Sequence, residues 1–475
     1  MTYLSVYFYL FVIFLWVIYY AIPIKYRWLV LVIGSVMFYC QVSGQAVFIV
    51  SGTILWSYLT AMAIKKYSSV LILWVSIIGM IVPWIIIKNG NFLLVSLFQA
   101  KEINLIVPLG ISFYTLQMIS YVIDVYREEI EPQENFLKYV LFVMFFPQIV
   151  QGPIPRYSKL SEQLYGGHSF DEKQVIEGFQ LVLWGFFLKL VIADKAAIIV
   201  SAVFADYHTY GGFYIWIAGI LYSIELYADF LACVTISQGV SAVFGIKIEN
   251  NFEHPYLAES IKEFWKRWHL SLSKWLRDYI YIPLGGNRKG KLRKYANLGI
   301  TFLISGIWHG AGYKFVLWGI IHGIYQIVGD ITRKYKNRIY EILCLQETDT
   351  QKIIKKVGTF FWVMLEWIVF IAESLRDAIN MILSMFKVWN PWVCFDNSLL
   401  KLGLNLKECV IFGIAILLLF VVDVLQEKGM CIRAAIGKRH IVLQWIIYIA
   451  AIVFIMTFGT YGFGYSAQDF IYGAF

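Results

Sequence analysis

Uncharged apolar stretches of near twenty residues recur along the whole of this 475-residue chain. A helix of that length spans the roughly 30 Å hydrocarbon core of a bilayer at about 1.5 Å rise per residue. The stretches are filled with Leu, Ile, Phe and Trp and show no strict apolar–polar alternation, so they read as helices rather than as strands of a barrel. With 60% hydrophobic and only 15% charged residues, the chain carries more apolar surface than one soluble core could bury. The expected fold is all-α: a polytopic integral membrane protein with about eleven transmembrane or re-entrant helices. No internal repeat or low-complexity tract divides it, so residues 1–475 are taken as a single transmembrane domain.

Flanking charge sets an expected orientation. Tyr3 to Tyr20 forms the first span, and Lys25 with Arg27 closes it, which places the amino terminus outside. Because these basic residues follow the apolar run, it is expected to stay as an anchor rather than be cleaved. Trp28 to Cys40 and Gln45 to Ala63 form a hairpin ending at Lys65 and Lys66, and Val70 to Ile87 crosses back. The six cysteines are scattered without a Cys-x-x-Cys pair, so neither a metal site nor a disulfide framework is expected.

Further on, FFPQIVQGPIPRYSKL (Phe145 to Leu160) brings three prolines and a glycine directly after an apolar run. A straight helix cannot continue there, leaving a re-entrant segment lining a cavity or an interfacial loop. Glu225 and Asp229 lie one turn apart in apolar surroundings; intramembrane carboxylates face a cavity or a partner.

Lys262 to Tyr279 reads as an amphipathic helix, with Trp265, Trp268, Leu272, Trp275, Leu276 and Tyr279 on one stripe and Lys262, Lys266, Arg267, Lys274 and Arg277 opposite. At about 100° per residue, His269 falls at the border between the two faces. The basic residues continue through Arg288, Lys289, Lys291, Arg293 and Lys294, opposed only by Glu263 and Asp278, and hold nearly all of the chain's formal net charge of +9. Such a cluster marks a cytoplasmic face and would concentrate a polyanionic donor such as an acyl-coenzyme A. The turn PLGGNRKG, with Asn287 and Arg288, could hold phosphates through backbone N–H groups.

Asn297 to Asp330 reads as two limbs of about fifteen residues around Gly310, Ala311 and Gly312, each roughly 22 Å long and short of the bilayer core. His309 stands at the tip, with Gly306 and Gly310 removing bulk so that another molecule could approach. An ionisable side chain at such depth points to function, the alternative being a histidine that donates to a neighbouring carbonyl. His322 reads as a packed core histidine, and His254 as an interface residue.

EFWKRWHLSLSKWLRDYIYIPLGGNR followed by ISGIWHGAGYKFVLWGIIHG resembles the membrane-bound O-acyltransferase family, in particular its bacterial alginate O-acetylation branch. PLGISFYTLQMISYVIDVYR and FFPQIVQGPI resemble the same branch, so the core motifs span residues 108–323. By position, His309 matches the family's intramembrane histidine and His269 its second polar position. The resemblance implies acyl transfer, most simply of acetyl, from a cytoplasmic thioester to a hydroxyl. His309 would act as general base, His269 would position the donor or the polar entrance, and Lys266, Arg267 and Arg277 would attract the donor's phosphates. No Gly-x-Ser-x-Gly elbow appears, which favours direct transfer over an acyl-serine enzyme.

The resemblance also implies acetyl-coenzyme A or another acyl thioester as donor substrate, with no permanently bound cofactor and no metal. Expected partners are the acyl-coenzyme A or acyl-carrier donor, a polysaccharide acceptor, an extracytoplasmic acyltransferase of the SGNH type and membrane lipids, with no nucleic acid. The expected location is the bacterial plasma membrane. Two other readings stand beside this one: D-alanyl transfer to teichoic acid from a carrier protein, and a transporter without chemistry of its own.

Overall fold

The computed structural model of the chain describes residues 2–99, 101, 103, 105–461 and 470, and no strand occurs among them. The helices are, in order, α1 (Val6–Ala21), α2 (Arg27–Ser43), α3 (Val47–Tyr67), α4 (Val70–Phe98), α5 (Ile111–Tyr126), α6 (Phe136–Met144), α7 (Tyr157–Gly166), α8 (Glu172–Phe187), α9 (Asp194–Ala205) and α10 (Phe213–Ala242). They continue as α11 (Ile261–Phe264), α12 (Leu270–Leu276), α13 (Gly290–His309), α14 (Tyr313–Ile342), α15 (Asp349–Ile371), α16 (Leu375–Lys387), α17 (Leu406–Glu427), α18 (Ile432–Gly437) and α19 (Ile441–Phe458). Six stretches of the described residues are long and apolar enough to cross a membrane: Ile24–Tyr67, Val70–Ser96, Phe213–Ala242, Tyr313–Ile342, Leu406–Glu427 and Ile441–Phe458. Large apolar side chains stay exposed along them, such as Leu71 and Ile78 on α4 and Val410, Ile414 and Leu417 on α17. A lipid-facing surface has this character, whereas a water-facing one of this extent would aggregate.

By backbone proximity the chain forms two compact units. The first holds residues 2–184 and Cys233–Asn250. Its most telling feature is the proline-rich segment after α6, which is irregular yet buried from Phe145 to Ile149 and again through Ile154. Prolines leave backbone groups without helical partners, and in a buried segment water cannot serve them. Side chains do so instead. Gln117 Nε2 donates to the Phe142 carbonyl at 2.7 Å, Tyr3 Oη to the Phe146 carbonyl at 2.9 Å, and Ser237 Oγ to the Pro147 carbonyl. The Phe146 N–H in turn donates to Ser35 Oγ at 3.1 Å, and Gln148 Nε2 to the Pro153 carbonyl at 2.6 Å.

The second unit holds Gly185–Ala232 and the described residues from Asn251 onward. At its centre α13 and α14 pack against each other through glycine. A Cβ on Gly306 would strike the Phe315 carbonyl oxygen, and one on Gly319 would strike the Phe302 carbonyl oxygen. Only hydrogen at these positions allows so close a crossing.

Both limbs are longer than hydropathy suggests. α13 has 20 residues and α14 has 30, because their Lys- and Arg-rich ends are good helix formers and continue the helix past the apolar part. α14 is therefore long and apolar enough to cross a membrane, against the expectation of a short limb, whereas α13 is not among the six stretches that are.

Candidate active site

His309 is the last residue of α13, where the helix stops at Gly310 and the chain turns through Gly312, whose φ of 116° favours glycine. Its imidazole is 4% exposed and sits in an aromatic setting. Trp318 of α14 meets it edge to face at a centroid distance of 4.9 Å, Trp308 lies at 4.9 Å, and Phe370 of α15 at 5.5 Å. The space beside the flanking glycines is already filled: Phe315 contributes its carbonyl next to Gly306 and its ring next to Gly310. These glycines therefore serve helix packing, and not the approach of another molecule as bulk alone suggested.

The continuous amphipathic helix expected over Lys262 to Tyr279 is broken. α11 ends at Phe264, α12 begins at Leu270, and π-helical turns run from Arg277 to Tyr281. The break is at His269, which adopts φ 46° and ψ 55°, a left-handed conformation that no helix interior contains. Its side chain is 1% exposed, against the expectation of a border position. It packs edge-on against Phe230 of α10 at 4.9 Å and reaches Trp308 at 6.0 Å. Two histidines forty residues apart in sequence thus meet the same indole.

Burial holds the His269 imidazole well below its ordinary range, and the nearby His309 acts in the same direction. It is neutral at physiological pH.

Asn251, which sequence reasoning passed over, sets this geometry. Its carbonyl accepts from the Leu270 N–H at 3.0 Å, and its side-chain oxygen accepts from the Ser271 N–H and hydroxyl, both at 2.9 Å. A residue 1% exposed thereby serves the first N–H groups of α12 in place of a local cap. The signal available was one Asn in a polar loop, between Glu249 and Glu253, too common a feature to single out.

The basic residues divide. Lys266, Arg277, Asn287 and Arg288 are exposed, and Arg277 pairs with its neighbour Asp278 at 2.7 Å. Arg267 is different: its guanidinium is held by Glu263 at 2.7 Å and by both oxygens of Glu427 on α17 at 2.7 and 2.8 Å. Its Nε donates to Glu263 at 3.0 Å and its Nη1 to the Glu253 carbonyl at 3.4 Å, so all five N–H groups are engaged and the residue ties segments together.

The PLGGN turn is likewise closed on itself. The N–H groups of Leu284, Gly285, Gly286 and Arg288 donate to the carbonyls of Ile280, Ile282, Tyr281 and Gly285. Asn297 Nδ2 then caps the Leu284 and Gly286 carbonyls at 3.2 and 2.9 Å. Those N–H groups do not form a phosphate cradle.

Other candidates from the sequence have structural partners. His322 is fully buried and accepts at Nδ1 from Trp265 Nε1 at 3.3 Å. His254 Nδ1 lies 3.0 Å from Asp423 on α17. Asp229 pairs at 2.7 Å with Lys189, which also reaches Asp194 at 2.9 Å. π-helical turns over Leu188–Ala193 make that possible by stacking Lys189 over the residue five positions on. Among the described residues no group of His, Cys, Asp or Glu could hold a metal ion.

The profile of the membrane-bound O-acyltransferase family matches residues 127–372, a range that contains both histidines and Asn251. The chain is 33% identical over 414 residues to a Pseudomonas putida protein named "probable alginate O-acetylase AlgI", covering 83% of this chain and 82% of the relative. It is 32% identical over 395 residues to the peptidoglycan O-acetyltransferase of Helicobacter pylori, covering 75% and 73%. Against the teichoic acid D-alanyltransferase of Bacillus subtilis the identity is 28% over 306 residues, covering 62% and 76%. The chain belongs to the membrane-bound O-acyltransferase family and is a multi-pass O-acyltransferase of the bacterial membrane.

Proposed function

We propose that the protein transfers an acetyl group from acetyl-coenzyme A, taken from the cytoplasmic side, to a hydroxyl, for the O-acetylation of a cell-surface polysaccharide. The observation that carries this reading is the convergence of His309 and His269 on Trp308, which brings together two imidazoles whose chain segments are far apart. His309 takes the proton from the acceptor hydroxyl as its oxygen adds to the thioester carbonyl carbon, and the carbonyl pair moves onto oxygen. The pair then returns, the C–S bond breaks, and the departing thiolate takes the proton from His309. A histidine suits both roles because its ordinary pKa lies near neutrality. His269, neutral and buried, positions the thioester.

The exposed Lys266, Arg277, Asn287 and Arg288 attract the donor's phosphates, while Arg267, held by Glu263 and Glu427, is left out of that role. The acetyl group passes to an extracytoplasmic acyltransferase of the SGNH type, which completes transfer to the glycan. Relatives named for alginate and peptidoglycan acetylation at 32–34% identity support acetyl over D-alanyl, since the D-alanyl relatives match at 28 and 30% over shorter stretches.

The test is base-labile acetate on the surface glycan of cells expressing the chain, cells lacking it, and cells carrying His309→Ala at equal membrane abundance. Acetate should appear only with the unmutated chain. Equal acetate in all three would remove acetylation, and ester-linked D-alanine appearing instead would establish the second chemistry.

A further inference from the structure

Addition to a thioester needs more than a base. Charge develops on the carbonyl oxygen, and preorganised hydrogen-bond donors aimed at that oxygen contribute strongly to the rate. Near His309 the structure holds buried donors that no protein group serves. Ser305 Oγ, Trp318 Nε1, His322 Nε2 and Trp367 Nε1 are all buried without a hydrogen-bond partner, on side chains with no exposed area. An indole N–H can only donate. His322 is also a donor at Nε2, because its Nδ1 accepts from Trp265 and the proton of the neutral ring must lie on the other nitrogen. Leaving a buried donor unserved costs free energy, and native proteins rarely gather several in one place without a reason.

Two of the four flank His309 directly. Ser305 stands four residues before it on α13, one turn away on the same face. A serine in an apolar helix ordinarily bonds back to the carbonyl one turn earlier. Thr301 does so, donating to the Asn297 carbonyl at 2.7 Å, but the Ser305 hydroxyl makes no such bond. Trp318 meets the His309 imidazole edge to face at 4.9 Å. His322 and Trp367 lie one ring farther out, at 4.5 and 6.2 Å from Trp318, and hold the plane of its indole.

We propose that Ser305 Oγ–H and Trp318 Nε1–H are the donors that receive the acyl carbonyl oxygen during transfer. His309 handles the acceptor's proton, and the two donors stabilise the negative charge that the addition places on oxygen. The assignment rests on the acyl-transfer reading above and goes beyond it by naming the second half of the catalytic apparatus.

The test is initial-rate kinetics of thiol release and glycan acetylation from acetyl-coenzyme A in membranes holding the full chain. Wild type is compared with Ser305→Ala, Ser305→Thr, Trp318→Phe and His309→Ala at equal abundance. Removing one donor to a developing oxyanion lowers kcat by about 10²- to 10³-fold. Because the interaction is made in the transition state, KM for the donor should stay within about threefold. Ser305→Thr keeps the hydroxyl and should recover most of the Ser305→Ala loss. Should Trp318→Phe fail to accumulate, the Ser305 pair still decides.

Retention of kcat within about threefold in Ser305→Ala or in a stably accumulating Trp318→Phe overturns the paired assignment, as does a loss carried wholly by KM. If the wild-type membranes release no thiol, or if His309→Ala turns over normally, the acyl-transfer reading itself falls. Normal turnover of the donor variants beside an inactive His309→Ala defeats this inference alone.

Discussion

At the scale of single residues, the unusual feature of the site is that His269 is both conformationally strained and electrostatically neutral. A left-handed φ of 46° suits glycine, and Asn tolerates it better than most side chains, so His269→Asn is the substitution that keeps the backbone while removing the titration. Below about pH 6.5, the ordinary value, the unfolded chain takes up a proton at this histidine while the folded chain does not. The unfolded state then binds more protons, so stability falls as pH falls through that value and is insensitive to this group above it. The apparent melting temperature of the detergent-solubilised protein should drop between about pH 7.5 and 5.5, and by less in His269→Asn. Parallel curves for the two proteins would show that His269 titrates normally. Asn251 acts on the same histidine through the backbone, since it holds the N–H groups of Leu270 and Ser271 that immediately follow.

At the scale of elements, the α13–α14 crossing is what sets His309 against Trp318, and it depends on glycine at Gly306 and Gly319. Gly319→Ala puts a methyl against the backbone of Phe302, which has no soft side chain to yield. Overpacking of this kind costs about 1–3 kcal/mol. Gly358 on α15 has open space where its Cβ would be, so Gly358→Ala should instead gain about 0.5–1 kcal/mol from helix propensity. Opposite shifts in melting temperature, with activity lost only in Gly319→Ala, would confirm the crossing; equal shifts would refute it. The same elements show what a sequence reveals. Spans such as α17 and α19 are legible because lipid demands unbroken apolar runs. The place of His309 at the end of the first of the paired limbs is legible because Gly310 follows it at once. The break at His269 is not, because its apolar period continues straight across it and its cause, Asn251, lies eighteen residues away. Nor is the commitment of Arg267, since Glu427 is 160 residues distant and the arginine's local pattern is that of any basic surface.

At the scale of the whole molecule, nearly all of the net charge of +9 lies in one segment, and this has a kinetic consequence if the donor is a coenzyme A thioester. Long-range attraction raises the encounter rate of a polyanion and therefore lowers KM, but it does not alter the step after binding. Salt removes it, because the screening length shrinks from about 10 Å at 0.1 M to about 3 Å at 1 M. The KM for acetyl-coenzyme A should rise about three- to tenfold between roughly 0.05 and 0.5 M salt at constant kcat. A short acetyl thioester without nucleotide phosphates reaches the same His309 with no charge to steer, so its KM should not respond. Combined replacement of Lys266, Arg277 and Arg288 by Gln should flatten the dependence for acetyl-coenzyme A, because all three are exposed. Arg267→Gln should behave otherwise: the salt dependence stays while the protein loses stability, since Glu263 and Glu427 are left facing each other without their shared cation. An equal salt response for both thioesters would mean that the basic segment does not recruit the donor, and its charge would then serve only to fix the cytoplasmic face.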